Sequence, residues 1–137
     1  IDPRVSFLMN DVLKGFMKNG VAGRKSRFLN RDDIAGKTGT TNDSISTWFS
    51  GYHSDLVTTV WVGTDDFSSL GENEYGSTIA MPIWINYMDY KLKALKTTSE
   101  EIPEKISFVR VNKSSGEVDD SSDGDFYFEL FLEENIN

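Results

Sequence analysis

The chain has 137 residues, of which 38% are hydrophobic, 26% charged and 12% aromatic, a balance that suits one domain with a modest core and argues against wholesale disorder. The absence of cysteine excludes disulfide frameworks, thiol catalysis and most structural zinc sites, and no apolar run approaches the ~18 residues of a membrane span. The formal charge of −8 comes from one end: residues 1–98 hold 11 basic and 11 acidic side chains, residues 99–137 hold 3 and 11, so a neutral module carries an acidic extension and nothing resembles the basic surface of a nucleic-acid binder.

The first predicted element is a helix. Asp2 can cap it, and Pro3 suits a first helical position that needs no backbone N–H. Val5, Leu8, Met9, Val12, Leu13, Phe16 and Met17 recur at three- and four-residue steps, which builds an apolar stripe expected to pack on something large and flat. Asn19-Gly20 supplies the stop. Residues 20–33 read as a polar loop whose basic cluster, Arg24, Lys25, Arg27 and Arg31, is taken as solvated.

Three strands follow, over about 34–40, 47–52 and 56–64, the last rich in valine, threonine and tryptophan. His53-Ser54-Asp55 leaves room only for a tight turn, so the second and third form an antiparallel hairpin. Asp65 to Tyr75 is loop, with Asp65-Asp66 a strand-ending turn rather than a carboxylate pair. A second helix begins near Ser77 or Thr78, holds Pro82 in its first turn, and turns Trp84, Tyr87, Met88, Lys91, Leu92 and Leu95 to one side. The order helix, antiparallel strands, helix is an α+β arrangement, an antiparallel sheet flanked by helices. After Ser99 the texture changes. Ile106 to Val111 alternates and can pair, through a turn at Asn112 to Gly116, with a segment near Val118. Residues 119–125 read as a mobile loop, and Phe126 to Leu132 as a strand or a docked tail. The expected division is therefore 1–98 and an acidic extension, 99–137.

The stretch that carries chemistry is Gly36-Lys37-Thr38-Gly39-Thr40-Thr41-Asn42. A phosphate-binding loop is excluded, because Arg31 stands where its first glycine would be and no helix follows. On a strand, Lys37 and Gly39 take one face, Thr38 and Thr40 the other. Lysine supplies positive charge, the hydroxyls can donate to a carboxylate, and glycine clears space for another backbone. Together they suit an edge strand that docks an extended peptide and grips its carboxylate. His53, the only histidine, is assigned to the turn, which leaves a metal site or a Ser-His-Asp triad without support, and no cofactor is expected.

Lys37-Thr38-Gly39 is also one of the signature boxes of penicillin-binding proteins and serine β-lactamases. With Asp33 to Asn42, then Trp48-Phe49-Ser50-Gly51-Tyr52, Val60-Trp61-Val62-Gly63 and Pro82-Ile83-Trp84, residues 1–115 resemble class A penicillin-binding proteins of the 1A type. Ser46-Thr47 departs from the Asp-Ala expected there. The resemblance implies the last three strands of a five-stranded transpeptidase sheet, residues 1–98 being the C-terminal half of that domain. It implies a serine that attacks the D-Ala-D-Ala bond of a peptidoglycan stem peptide, forms an acyl-enzyme and yields to an amine; penicillins acylate the same serine. Lys37 would supply positive potential to the second box's serine, Thr38 and Thr40 would hold the substrate carboxylate, with Gly39 and Thr41 beside them. The Thr40 N–H would be half of the oxyanion hole, a role worth roughly 3–4 kcal/mol of barrier. The parent enzyme would sit in the bacterial cytoplasmic membrane facing the periplasm and also carry a glycosyltransferase domain.

A complete site needs Ser-x-x-Lys and Ser-x-Asn. No serine from Ser6 to Ser122 has lysine three residues on or asparagine two on, so the chain is expected to be an inactive piece of a larger enzyme. Its expected partners are the remainder of the transpeptidase domain, the stem peptide and β-lactams, and, through an open sheet edge, a second copy. Competing readings are a piece of a D,D-carboxypeptidase or β-lactamase, and a non-catalytic module that binds a partner through its acidic region.

Overall fold

The computed structural model describes residues 1–118 and 124–136. Helix α1 spans Pro3–Asn19. Asp2 Oδ1 accepts the Arg4 N–H at 2.9 Å, so the expected cap forms. The apolar stripe forms too, but it does not make a core helix. Met17 alone is buried, while Val5, Met9 and Val12 are exposed. A stripe of that width needs a flat apolar partner along its whole length, and the described residues supply one only at the Phe16–Met17 end.

A short helix α2 (Gly23–Ser26) and a 3-10 turn (Arg27–Leu29) lead to the sheet. Strands β1 (Ala35–Thr40), β2 (Ser46–His53) and β3 (Leu56–Gly63) are antiparallel in the order β1-β2-β3. His53 pairs with Leu56 across a two-residue turn. Here one expectation is corrected: His53 is the last residue of β2, not a turn residue, and is 1% exposed. Helix α3 (Ala80–Leu92) covers one face of β2 and β3, with Pro82 in its first turn. Its buried face is Ala80, Met81, Trp84, Ile85, Met88 and Leu92; Tyr87 is exposed. The Trp84 and Phe49 rings meet at 4.8 Å, and Trp84 Nε1 donates to the Thr58 carbonyl at 3.0 Å. Two glycines make room for them. A Cβ on Gly51 would lie 2.5 Å from Trp84, and one on Gly36 would lie 2.9 Å from Phe49.

Residues Asn10–Ser99 form one compact unit; Ile1–Met9 group with Glu100–Asn137 in a second. In that second unit β4 (Ile106–Asn112) and β5 (Phe126–Leu132) pair antiparallel, so the stretch from Phe126 is a strand. The expected turn is present: Asn112 Oδ1 accepts the Ser114 and Ser115 N–H groups, and Val111 bridges Val118. Of the loop expected over 119–125, residues 119–123 lie outside the described residues. Arg4 joins Glu134 at 2.9 Å within this unit.

Candidate functional site

Among the described residues strand β1 is an edge, pairing with β2 on one side only, with Lys37 opposite Ser50, Gly39 opposite Trp48 and Thr40 opposite Thr47. Just past its end the Thr41 N–H donates to the Ser46 carbonyl at 3.0 Å. Antiparallel strands alternate between residues whose backbone groups face the partner and residues whose groups face away. Counting back from Thr41, the backbone groups of Gly39 and Lys37 point at β2. Those of Thr40, Thr38 and Gly36 therefore point at the free edge. The Lys37 side chain reaches the same edge, since its Nζ donates to the Thr38 carbonyl at 3.1 Å.

Directly opposed residues share a face. Thr38 lies opposite Phe49 and Thr40 opposite Thr47, on the face that α3 covers, whereas Lys37 and Gly39 take the face toward Phe16 and Trp48. The alternation expected for this motif is thus present. Lys37 is exposed, its ammonium 4.9 Å from the centroid of the Phe16 ring. Among the described residues no carboxylate pairs with it. A Cβ on Gly39 would lie 3.3 Å from Trp48, so glycine keeps this position flush. Thr40 Oγ1 accepts the Gly76 N–H at 3.0 Å, which leaves its own proton to donate. Gly76 sits against the strand so closely that a Cβ there would lie 2.7 Å from the Gly39 carbonyl oxygen. Thr41 is committed locally: its Oγ1 accepts the Ser46 N–H at 2.8 Å and closes the β1–β2 connection. That connection is tight, with Asp43 (φ 55°) and Ser44 (φ 51°) both left-handed, a conformation that costs roughly 1–2 kcal/mol per residue without glycine. Bonds from Ser69 Oγ to the Asp43 carbonyl and from the Leu70 N–H to the Ser44 carbonyl hold it.

The start of β1 is fixed by a buried cluster that the sequence reading did not find. Asp33 receives Arg31 Nη2 at 2.7 Å and the Thr98 N–H at 2.7 Å, and its Oδ2 lies 3.2 Å from His53 Nε2. Arg31 extends to the carbonyls of Leu92, Leu95 and Lys96 at 3.0–3.2 Å, at and just beyond the C-terminal end of α3 where carbonyls lack a full set of helical donors. Burial pushes the Asp33 carboxyl up, yet the hydrogen bonds from Arg31 and Thr98 outweigh it and hold its pKa at about 2. His53 Nδ1 accepts the Asp55 N–H at 3.2 Å while Nε2 faces the Lys96 carbonyl at 3.1 Å, which assigns the proton to Nε2. Arg31-x-Asp33 before a strand was the available signal; nothing in the sequence marked His53 as its partner. This cluster joins β1, β2 and the end of α3, and so sets the register from which Lys37 is presented.

Asp65-Asp66 lies in the turn after β3, where Asp66 accepts the Ser68 N–H. Among the described residues no group of three or more His, Asp or Glu side chains could hold a metal ion.

No protein-family model matches the chain. The chain is 44% identical over 135 residues to penicillin-binding protein 1A of Pseudomonas aeruginosa, a match that covers 98% of this chain and 16% of that protein. It is 42% identical over 106 residues to penicillin-binding protein 1A of Neisseria gonorrhoeae, covering 77% of this chain and 13% of that one. The crystal structure of penicillin-binding protein 1A from Haemophilus influenzae superposes with a TM-score of 0.83 at 32% identity, over 94% of this chain and 20% of that chain. The chain thus spans less than a fifth of the length of either curated relative.

Proposed function

The chain belongs to the penicillin-binding protein 1A family, and from that membership we propose that it is the substrate-docking portion of a peptidoglycan D,D-transpeptidase domain. The observation that carries the reading is the free edge of β1, where the Lys37 ammonium, the Thr38 carbonyl and the outward Thr40 N–H converge. An extended stem peptide adds to that edge as a further strand. Its C-terminal carboxylate meets the positive charge of Lys37 and the hydroxyls of Thr38 and Thr40. A serine from outside this chain attacks the carbonyl carbon of the penultimate D-alanine, whose oxygen, now negative, lies against the Thr40 N–H. The C–N bond breaks, D-alanine leaves with the serine's proton, and an amine of a neighbouring stem peptide then displaces the serine oxygen. A penicillin enters by the same edge and acylates the same serine.

In this reading the docking strand lowers the barrier without supplying the nucleophile, so the 137-residue chain does not react with penicillin on its own. The working compartment is the periplasmic face of the cytoplasmic membrane; among the described residues no helix is long and apolar enough to cross a membrane. The test uses a fluorescent penicillin. The chain alone is expected to give no label that survives denaturation, whereas a longer protein carrying both serine boxes labels. In that longer protein Thr40→Pro removes the edge N–H at a position where the sheet tolerates proline, and acylation slows by about 10²–10³-fold. Labelling of the chain alone, or full acylation by the proline variant, defeats the proposal.

A further inference from the structure

We propose that the cleft between the end of α1, α2 and Ser77 is an anion subsite for carboxylates of the peptide that β1 docks, an inference that rests on that reading of β1. The cleft has a volume of about 570 Å³, and its lining includes Lys18, Val21, Arg24, Lys25, Arg27 and Ser77, with no acidic side chain among its lining residues. Four cations facing one concavity repel each other, a cost that a bound anion relieves. Two of them have no partner among the described residues: Arg24 and Arg27 are exposed, and their guanidinium groups make no hydrogen bond or ion pair there. Lys18 has only a loose contact with Asp32 at 3.7 Å, and Lys25 Nζ donates to the Ser77 carbonyl. The basic cluster that reads in sequence as a solvated loop is thus gathered around a hollow instead of spread over a surface.

Its location supplies the ligand class. Gly76, the residue before Ser77, donates its N–H to Thr40 Oγ1 at 3.0 Å. Consecutive Cα atoms are about 3.8 Å apart, so the cleft wall begins one residue from the strand that grips the D-alanyl terminus. Ser77 is half-buried, and its hydroxyl has no partner among the described residues. A peptide on β1 that carries further carboxylates on the Gly76 side would place them against Arg24, Arg27 and Ser77, and an elongated, multiply charged peptide fits this layout better than a single small anion.

The test is a titration of the 15N-labelled 137-residue chain with citrate as a free tricarboxylate, with a stem pentapeptide ending in D-Ala-D-Ala, and with phosphatidylglycerol vesicles. Citrate and the pentapeptide are expected to shift the Gly23, Ser77 and Thr78 amides. The exposed pair Arg24→Glu with Arg27→Glu should weaken both at least tenfold, and Arg24→Gln with Arg27→Gln less. Absence of those shifts, or equal shifts in the charge-reversed protein, overturns the subsite. Pentapeptide shifts confined to Thr38–Thr40 also overturn it while the docking reading of β1 stands; shifts at the cleft with β1 silent keep an anion site and remove the docking reading. Vesicle binding that depends on Arg24 and Arg27, without citrate or peptide shifts, overturns it in favour of a membrane surface.

Discussion

The Asn10–Ser99 unit and the β4–β5 unit draw on similar aromatic residues and use them in opposite ways. In the first, Phe49 and Trp84 are both 0% exposed and pack ring against ring at a tilt of 52°. In the second, Phe108 and Phe128 are each 61% exposed on a two-stranded ribbon. The difference lies in layers rather than composition. Helix α3 closes one face of three strands, which is about the smallest sheet assembly that stands by itself. Two strands offer two faces and can bury neither fully. Ile106, Val109 and Val111 are what the ribbon hides.

The largest expected effect tests that contrast directly. Trp84→Ala removes the ring under the sheet and leaves Phe49 and Gly51 facing a cavity, at a cost of about 3–5 kcal/mol. Phe108→Ala removes an equally apolar ring from the ribbon and should stay within about 0.5 kcal/mol. Urea unfolding followed by circular dichroism reads both. Equal losses would mean that the ribbon's aromatics are packed as tightly as those of the sheet, and the distinction would go.

Next in size is the buried ion cluster, whereas in the ribbon the ion pair between Lys113 and Asp125 is exposed. Asp33→Ala removes the carboxylate that neutralises Arg31 and accepts the Thr98 N–H, leaving a half-buried guanidinium with only neutral carbonyl partners, and should cost about 3 kcal/mol. The pH dependence follows from the depressed carboxyl. An Asp held at about 2 in the folded state, below its ordinary 3.8, stabilises the fold fully above about pH 4. That contribution is lost as pH falls through about 2. Unfolding free energy measured between pH 5 and pH 2 should therefore fall more steeply for the parent chain than for the alanine variant. Parallel curves would remove Asp33 as the source.

How much was readable beforehand follows the same line. Alternation on β1–β3 and the 3.6-residue period of α3 report burial inside the unit itself, so the strands, the tight turn and the Lys37–Thr40 edge were legible. The α1 stripe was equally regular yet misread, because periodicity says that a face is apolar and not that anything in the chain covers it. His53 was lost for a different reason. One strand residue more or less decides whether a side chain points into the core or out, and boundaries are the weakest part of such reading. The Asp33–His53 contact and the Gly76–Thr40 bond, 20 and 36 residues apart in sequence, are set by tertiary packing that no local pattern records.

The smallest effect concerns a defect in the well-packed unit. Thr47 is 0% exposed and its Oγ1 has no hydrogen-bond partner among the described residues. An unpaired buried hydroxyl costs free energy that a methyl of the same shape does not, so Thr47→Val should stabilise the unit by about 1 kcal/mol. The ribbon carries a comparable defect, since Arg110 Nε and Nη2 also lack partners among the described residues, but there the guanidinium lies 3.7 Å from the centroid of the Phe126 ring. That stacking offsets part of the loss, and Arg110→Leu should accordingly gain less than Thr47→Val. A gain at Arg110 as large as the one at Thr47 would mean that the ring does not compensate the buried cation, and that the ribbon, not the sheet, holds the costlier flaw.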